Sequence, residues 1–157
     1  MTPILQVKNL QTHFFTKAGV LKAVDGVSFE IGAGEIVGLV GESGSGKSIT
    51  GFSILGLVDA PGRIVGGQIL FKGRDMTSIP PAEMQKLRGS RIAMIFQDPM
   101  TALNPVYTIG SQIKENLLYH TSMDKKSMTN KTIEMLEKMG IPLPLSLIHI
   151  SEPTRHA

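Results

Sequence analysis

The chain has 157 residues, 41% of them apolar, with 16 Lys and Arg against 13 Asp and Glu for a formal charge of +3. That length and balance suit one globular domain able to bury a core without a metal or disulfide staple. Cysteine is absent, which excludes a disulfide framework, a Cys-ligated zinc or iron–sulfur site and a thiol nucleophile in this sequence.

Ile4 to Leu10 (ILQVKNL) and Leu21 to Ile31 (LKAVDGVSFEI) alternate apolar and polar residues and predict two strands. His13 to Val20 between them, with Lys17, Ala18 and Gly19, predicts a hairpin-like connection and hence an antiparallel pair. Glu35 to Val40 (EIVGLV) is a near-continuous apolar run, the pattern of a strand buried on both faces of a parallel sheet. Lys47 to Leu57 carries Ile49, Phe52, Ile54 and Leu55 at mostly helical spacing, stopped by Pro61-Gly62. Gly66 to Lys72 predicts a strand and Gly73 to Asp75 a turn. Ser78 to Arg88 predicts a helix with proline in its first turn, and Arg91 to Phe96 (RIAMIF) a second buried strand. Thr108 to Tyr119, with Ile109, Ile113 and Leu117 four apart, predicts an amphipathic helix capped by Thr108. Another is expected from Asp124 to Met139, apolar at Met128, Met135, Leu136 and Met139 and stopped by Gly140 and Pro142. Met94, Met135 and Met139 are expected to pack.

Gly41-Glu42-Ser43-Gly44-Ser45-Gly46-Lys47-Ser48 matches G-x-x-x-x-G-K-[ST] and sits between a predicted buried strand and a predicted helix. Glycines at these positions let main-chain N–H groups converge on phosphate oxygens, and the helix that follows adds its positive dipole end. Lys47 is expected to reach the β- and γ-phosphates of a nucleotide, and the Ser48 hydroxyl to ligate Mg²⁺. The bland alternative is an ordinary glycine-rich turn.

Three stretches carry a family resemblance: Ala23-Val24-Asp25-Gly26-Val27-Ser28-Phe29, Gly38-Leu39-Val40 leading into the loop, and Ile95-Phe96-Gln97-Asp98-Pro99-Met100-Thr101-Ala102-Leu103-Asn104-Pro105. Together they resemble the ATP-binding subunits of ABC transporters, and within these the oligopeptide, dipeptide and nickel importer group, from about Ile4 to Pro144. The resemblance implies an α/β P-loop fold, here its N-terminal part: an antiparallel β subdomain plus an incomplete parallel core sheet with helices. It implies ATP and Mg²⁺ as ligands. Gln97 is expected to contact Mg²⁺ and the attacking water, a role that suits a neutral side chain with both a donor and an acceptor. Phe14, with Phe15 beside it, is expected to stack on adenine, the alternative for either ring being core packing. A competing reading makes Arg91 to Asp98 the Walker B strand of a compact P-loop kinase or GTPase, with Asp98 holding Mg²⁺ through water.

The remaining chemistry-bearing residues point nowhere in particular. His13, His120, His149 and His156 share no metal-ligand spacing, and Glu134 with Lys138 reads as a solvated helix pair. Basic residues are scattered, so no nucleic-acid partner is expected. No apolar run reaches the roughly 18–20 residues of a membrane span, and Met1 to Leu10 lacks a leader pattern.

The resemblance also implies a Leu-Ser-Gly-Gly-Gln-type signature, a Walker B strand ending in Asp-Glu and a switch histidine, none of which occurs in these 157 residues. Leu145 to Ile150 (LSLIHI) alternates like a strand, yet Leu145 to Arg155 resembles the conceptual translation of a sequencing-library adapter. The expectation is therefore a partial nucleotide-binding domain over residues 1–144 and a non-native tail over 145–157. The expected parent is an ATPase subunit energising import of peptides or a related solute. Its place is the cytoplasmic face of a bacterial inner membrane, beneath permease subunits, paired with a second ATP-binding subunit and served indirectly by a solute-binding protein. For the chain itself the expectation is nucleotide binding at most, as a non-catalytic fragment.

Overall fold

The computed structural model describes residues 3–97 and 103–150. The chain divides into two compact units, the first ending at Arg88 and the second starting at Gly89.

In the first unit, β1 (Leu5–Thr16) is central in a four-stranded antiparallel sheet of order β2-β1-β3-β4. It pairs with β2 (Gly19–Ile31) from Leu5↔Ile31 to Thr16↔Gly19, and with β3 (Gly62–Phe71) from Leu5↔Phe71 to Phe14↔Gly62. The two-residue β4 (Arg74–Asp75), expected as part of a turn, is instead the edge strand, because Arg74 and Asp75 find partners at Phe71 and Leu70. The antiparallel pair is as expected, but its connection is only Lys17-Ala18. Thr12, Phe14, Phe15 and Thr16 are strand-favouring residues, and the Thr16 hydroxyl donates to the Gly19 carbonyl at 2.9 Å to close the turn. β3 likewise starts four residues earlier than expected, because Ile64 and Gly62 find partners at Thr12 and Phe14.

The core of this unit holds Val7, Leu10, Val24 and Ile69 from the sheet, with Leu55, Met76 and Met84 from the segments that cover it. The helix α1 (Lys47–Ile54) is shorter than its apolar pattern predicts. Gly56, at φ +60°, stops it. The Gly56 N–H donates to Ser53 and the Leu57 N–H to Phe52, the paired 5→2 and 6→1 bonds of a Schellman ending, which needs a left-handed residue and so a glycine. A two-turn helix, α2 (Pro81–Leu87), follows with Met84 buried.

The expected parallel core strands are not formed. Glu35–Val40 carries no strand pairing, and Ile36 and Val40 are 98% and 93% exposed. In the second unit Arg91–Phe96 is likewise not a strand, with Ile95 98% exposed. The physical reason is the ladder: an apolar run becomes a buried strand only when neighbouring strands take up its N–H and C=O groups, and among the described residues neither run has a neighbouring strand, the Ile92 carbonyl accepting from the nearby Gly89 N–H at 2.9 Å.

The second unit is helical. Helix α3 (Ile109–His120) begins where expected, the Thr108 hydroxyl accepting from the Ser111 N–H at 3.2 Å. Helix α4 (Lys125–Lys138) is capped by Asp124, whose carboxylate accepts from the Lys126 N–H at 3.2 Å. Its buried stripe is Met128, Thr132 and Leu136, four residues apart. Met139, expected in the core, is exposed beyond the helix end. The strand expected at Leu145–Ile150 is instead the short helix α5 (Pro144–Leu147) and a turn. Ile148 is buried, and the carbonyls of Ile148 and Ile150 accept from the N–H groups of Gly110 and Ile109. The segment serves the first turn of α3 rather than a sheet.

Candidate functional site

The phosphate-loop motif lies wholly in the first unit, between the extended run ending at Val40 and the start of α1. Gly46 is the N-cap of α1 at φ 91°, ψ 3°, a left-handed conformation, and it lies against β2: a Cβ there would sit 2.3 Å from the Ala23 carbonyl oxygen. Only glycine satisfies both conditions.

Lys47 folds back over the loop. Its ammonium donates to the Gly41 and Glu42 carbonyls at 2.6 Å each and reaches the Ser45 hydroxyl at 3.3 Å. The Ser45 N–H donates to Glu42 at 3.2 Å, closing the loop on itself. At the start of α1 no side chain caps the first-turn N–H groups and no acidic residue stands in that turn. The positive end of the helix dipole and one ammonium therefore meet at a helix start whose first turn carries no carboxylate. Ser48 is exposed, so its hydroxyl is free to meet a ligand from solvent. Glu42, Ser43, Gly44 and Ser45 are exposed along the same loop.

Two sets of contacts hold α1 that the sequence reading did not identify. In its last turn, the buried hydroxyls of Thr12 on β1 and Ser53 on α1 lie 2.8 Å apart. After its last turn, the Arg88 guanidinium donates to the Leu55 and Gly56 carbonyls at 2.7 Å each, taking up orphan acceptors at the negative helix end. Strand periodicity could have found Thr12, which is two residues after the core residue Leu10 and so on the same face. Nothing local marks Arg88, because its partners are 32 and 33 residues away.

The two aromatic candidates differ. Phe14 packs over Gly62, whose added Cβ would meet the ring at 2.6 Å. Phe15 is more exposed, and the Arg63 guanidinium lies 4.3 Å from its ring centroid. Gln97 belongs to the second unit and is exposed. Asp98 and Pro99 to Ala102 lie outside the described residues, as does His156. Farther along, Gln112 of α3 pins the end of that stretch: its side chain accepts from the Asn104 N–H at 2.8 Å and donates to the carbonyls of Asn104 and Tyr107 at 2.9 Å each.

His13 is mostly buried with its Nε2 unpartnered by any hydrogen bond, 3.7 Å from an Asp25 carboxylate oxygen. Among the described residues no group of His, Asp and Glu could hold a metal ion by itself. Glu134 donates nothing and accepts from Lys131 at 2.8 Å and Lys138 at 2.7 Å. Those hydrogen bonds, Lys131 first, hold its carboxyl down at about 2. This is a solvated helix network, as expected.

Residues 24–152 match the family model described as ABC transporter, and the chain belongs to that family. Among curated relatives it is 51% identical over 141 residues to the oligopeptide transport ATP-binding protein AppD of Bacillus subtilis, covering 89% of this chain and 43% of that protein. It is 43% identical to the dipeptide transport ATP-binding protein DppD of Escherichia coli, covering 94% of this chain and 45% of that protein. The chain thus spans under half the length of the curated relatives it matches. Its fold is shared with solved cassettes. The dimeric structure of MJ0796, a bacterial ABC transporter cassette, superposes with a TM-score of 0.77 at 21% identity, over 93% of this chain and 60% of that one. The ADP conformation of MJ1267 gives 0.60 at 24% identity, over 94% and 57%. The architecture is therefore part of an ABC ATPase cassette, an α/β P-loop fold represented here by its antiparallel sheet and helices.

Proposed function

We propose that this chain supplies the phosphate-gripping part of an ATP-binding subunit that energises import of peptides or a related solute. The observation that carries the reading is the Lys47 ammonium held at 2.6 Å from two carbonyls of a glycine-rich loop at an uncapped helix start. A nucleotide's terminal phosphoryls would replace those carbonyls as partners of the ammonium, and the loop's N–H groups would take the remaining oxygens. Mg²⁺ bound with the nucleotide neutralises phosphate charge, and the exposed Ser48 hydroxyl suits it as a ligand. Gln97 is proposed as the sensor of that metal and of the attacking water, and Phe14 as the adenine platform.

The named relatives support the substrate class, being oligopeptide and dipeptide transport proteins. No helix among the described residues is long and apolar enough to cross a membrane. We place the subunit peripherally, on the cytoplasmic face of the inner membrane, against permease subunits and a second ATP-binding subunit, with a solute-binding protein acting from the far side. The family match leaves the compact kinase or GTPase reading of Asp98 without support. Residues 145–157 are proposed to be a non-native tail on a partial nucleotide-binding domain over residues 1–144.

Replacing Lys47 by Ala tests the proposal. Losing a charge-assisted contact to phosphate costs about 1.5–3 kcal/mol, or ~10- to 150-fold in affinity. Equilibrium binding of a fluorescent ATP analogue reads it. An affinity unchanged in Lys47→Ala, with the fold retained by circular dichroism, refutes the cradle.

A further inference from the structure

Helix α1 is only eight residues long, and the direction of its axis decides where the first-turn N–H groups point. A short helix has little stiffness of its own from packing and takes its orientation from whatever fixes it to the sheet. At its start the fixing contact is steric, Gly46 against the Ala23 carbonyl of β2. In its last turn a contact is polar and buried: Thr12 is fully buried, Ser53 nearly so, and their hydroxyl oxygens are 2.8 Å apart.

The protons in that pair can be assigned. Ser53 has one hydroxyl proton, and its Oγ donates to the Ile49 carbonyl at 2.7 Å. The bond between the two hydroxyls therefore runs from Thr12 to Ser53. The result is a chain from β1 through Thr12 and Ser53 into the α1 backbone at Ile49, two residues after Lys47. Thr50, also buried, donates its hydroxyl to the Gly46 carbonyl at 3.0 Å and so connects the same helix to its own cap. A valine and an alanine would fill the Thr12 and Ser53 positions without burying any polar group. Hydroxyls at both positions hold one distance and one direction, which apolar packing does not.

We infer that Thr12 and Ser53 are positioning residues for the phosphate loop: their hydrogen bond sets the angle of α1 on the sheet and thereby the aim of the loop's N–H groups and Lys47 at a nucleotide's phosphates. The inference rests on the cradle reading above. Neither residue touches the ligand, and both act through the helix backbone.

Two substitutions at one site separate positioning from packing. Thr12→Val keeps the shape and loses the hydroxyl; Thr12→Ser keeps the hydroxyl and loses a methyl group. They are made in the full chain, carried on a soluble fusion partner, alongside Ser53→Ala, the Thr12→Val/Ser53→Ala double variant and Lys47→Ala. Each is measured for affinity toward a fluorescent ATP analogue and for its unfolding midpoint without nucleotide. Thr12→Val and Ser53→Ala are expected to bind about three- to ten-fold more weakly, the range of network couplings, and the double variant no more weakly than either single one. Thr12→Ser is expected to stay within about twofold of the unsubstituted chain even where its midpoint falls. Affinity that follows the midpoint, with Thr12→Ser as weak as Thr12→Val, or affinity unchanged in Thr12→Val, overturns the inference while Lys47→Ala still shows its loss. Unchanged affinity in Lys47→Ala overturns the cradle itself, a separate result, and the inference with it.

Discussion

Replacing Gly46 by Ala is expected to disable the loop and strain the first unit at once. The residue sits at φ 91°, and a left-handed backbone costs an L-residue roughly 1–2 kcal/mol. The added Cβ would also lie 2.3 Å from the Ala23 carbonyl oxygen and 3.4 Å from a Val24 methyl. Backbone cannot rotate aside as a side-chain tip can, so the loop must lift from β2 by about 1 Å, an overpacking cost of roughly 1–3 kcal/mol. The total is about 2–5 kcal/mol. Any part relieved by movement appears instead as misplacement of Lys47 and the first-turn N–H groups. Urea unfolding followed at 222 nm reads the stability, and analogue binding reads the aim of the loop. A Gly46→Ala chain that keeps both its urea midpoint and its affinity refutes the close packing of loop on strand.

Arg88→Ala removes a guanidinium from two carbonyls at the end of α1; the loss is expected at about 1.5–3 kcal/mol, since one bond is part-buried and the other exposed. Arg88→Lys should recover only part of it, because an ammonium lacks the fork that serves both acceptors. Unfolding midpoints measure this, and equal midpoints for all three proteins would contradict the clamp. Glu134 has a folded-state value depressed from 4.5 to about 2 by its bonds from Lys131 and Lys138. Its contribution to α4 is therefore present above about pH 4.5 and is lost as pH falls toward 2, the sign required when the unfolded state binds the proton more readily. Titrating helicity against pH should show that decline flatten in Glu134→Gln and shrink in high salt, and an identical acid limb in the variant would exclude the network. The exposed run from Ile36 to Val40 offers unpaired backbone beside apolar side chains, a template for association. Sedimentation should show self-association at micromolar concentration that Ile36→Lys with Val40→Lys relieves, and a monodisperse unsubstituted chain would contradict it.

The parts of the fold that were legible in the sequence are those whose partners are close in the chain or written in a local code. β1 and β2 are adjacent and alternate, so their pairing followed from the pattern. Thr108 and Asp124 cap their helices through their own neighbours. Gly56 was equally local and still misled, because the apolar spacing of Ile54, Leu55 and Leu57 continues the helical period across a residue whose lack of Cβ permits the chain to turn back. Periodicity reports which faces shun water; it does not report where the backbone can change hand. In the loop, the motif itself was plain, whereas the return of the Lys47 ammonium onto Gly41 and Glu42 is a three-dimensional fact that spacing does not contain.

The apolar runs carry the deeper lesson. Hydrophobicity at Glu35–Val40 and Arg91–Phe96 is a demand for neighbours, and a sheet interior is one way to meet it. A strand, however, is a property of a pair: its hydrogen bonds belong to the ladder, and without adjacent strands the same residues form no strand and leave Ile36, Val40 and Ile95 exposed. The antiparallel sheet meets its demand from within the first 75 residues, since β1, β2, β3 and β4 close on one another, and its β1–β2 pair forms as expected. The phosphate loop stands at the junction of these two cases. Its C-terminal half is anchored by α1, Gly46 and the Thr12–Ser53 bond to the completed sheet, while its N-terminal half leads out of the exposed run. The anchored half is where Lys47 and Ser48 lie, so the residues proposed to grip phosphate are held by contacts within the first unit even though the strand before them is not.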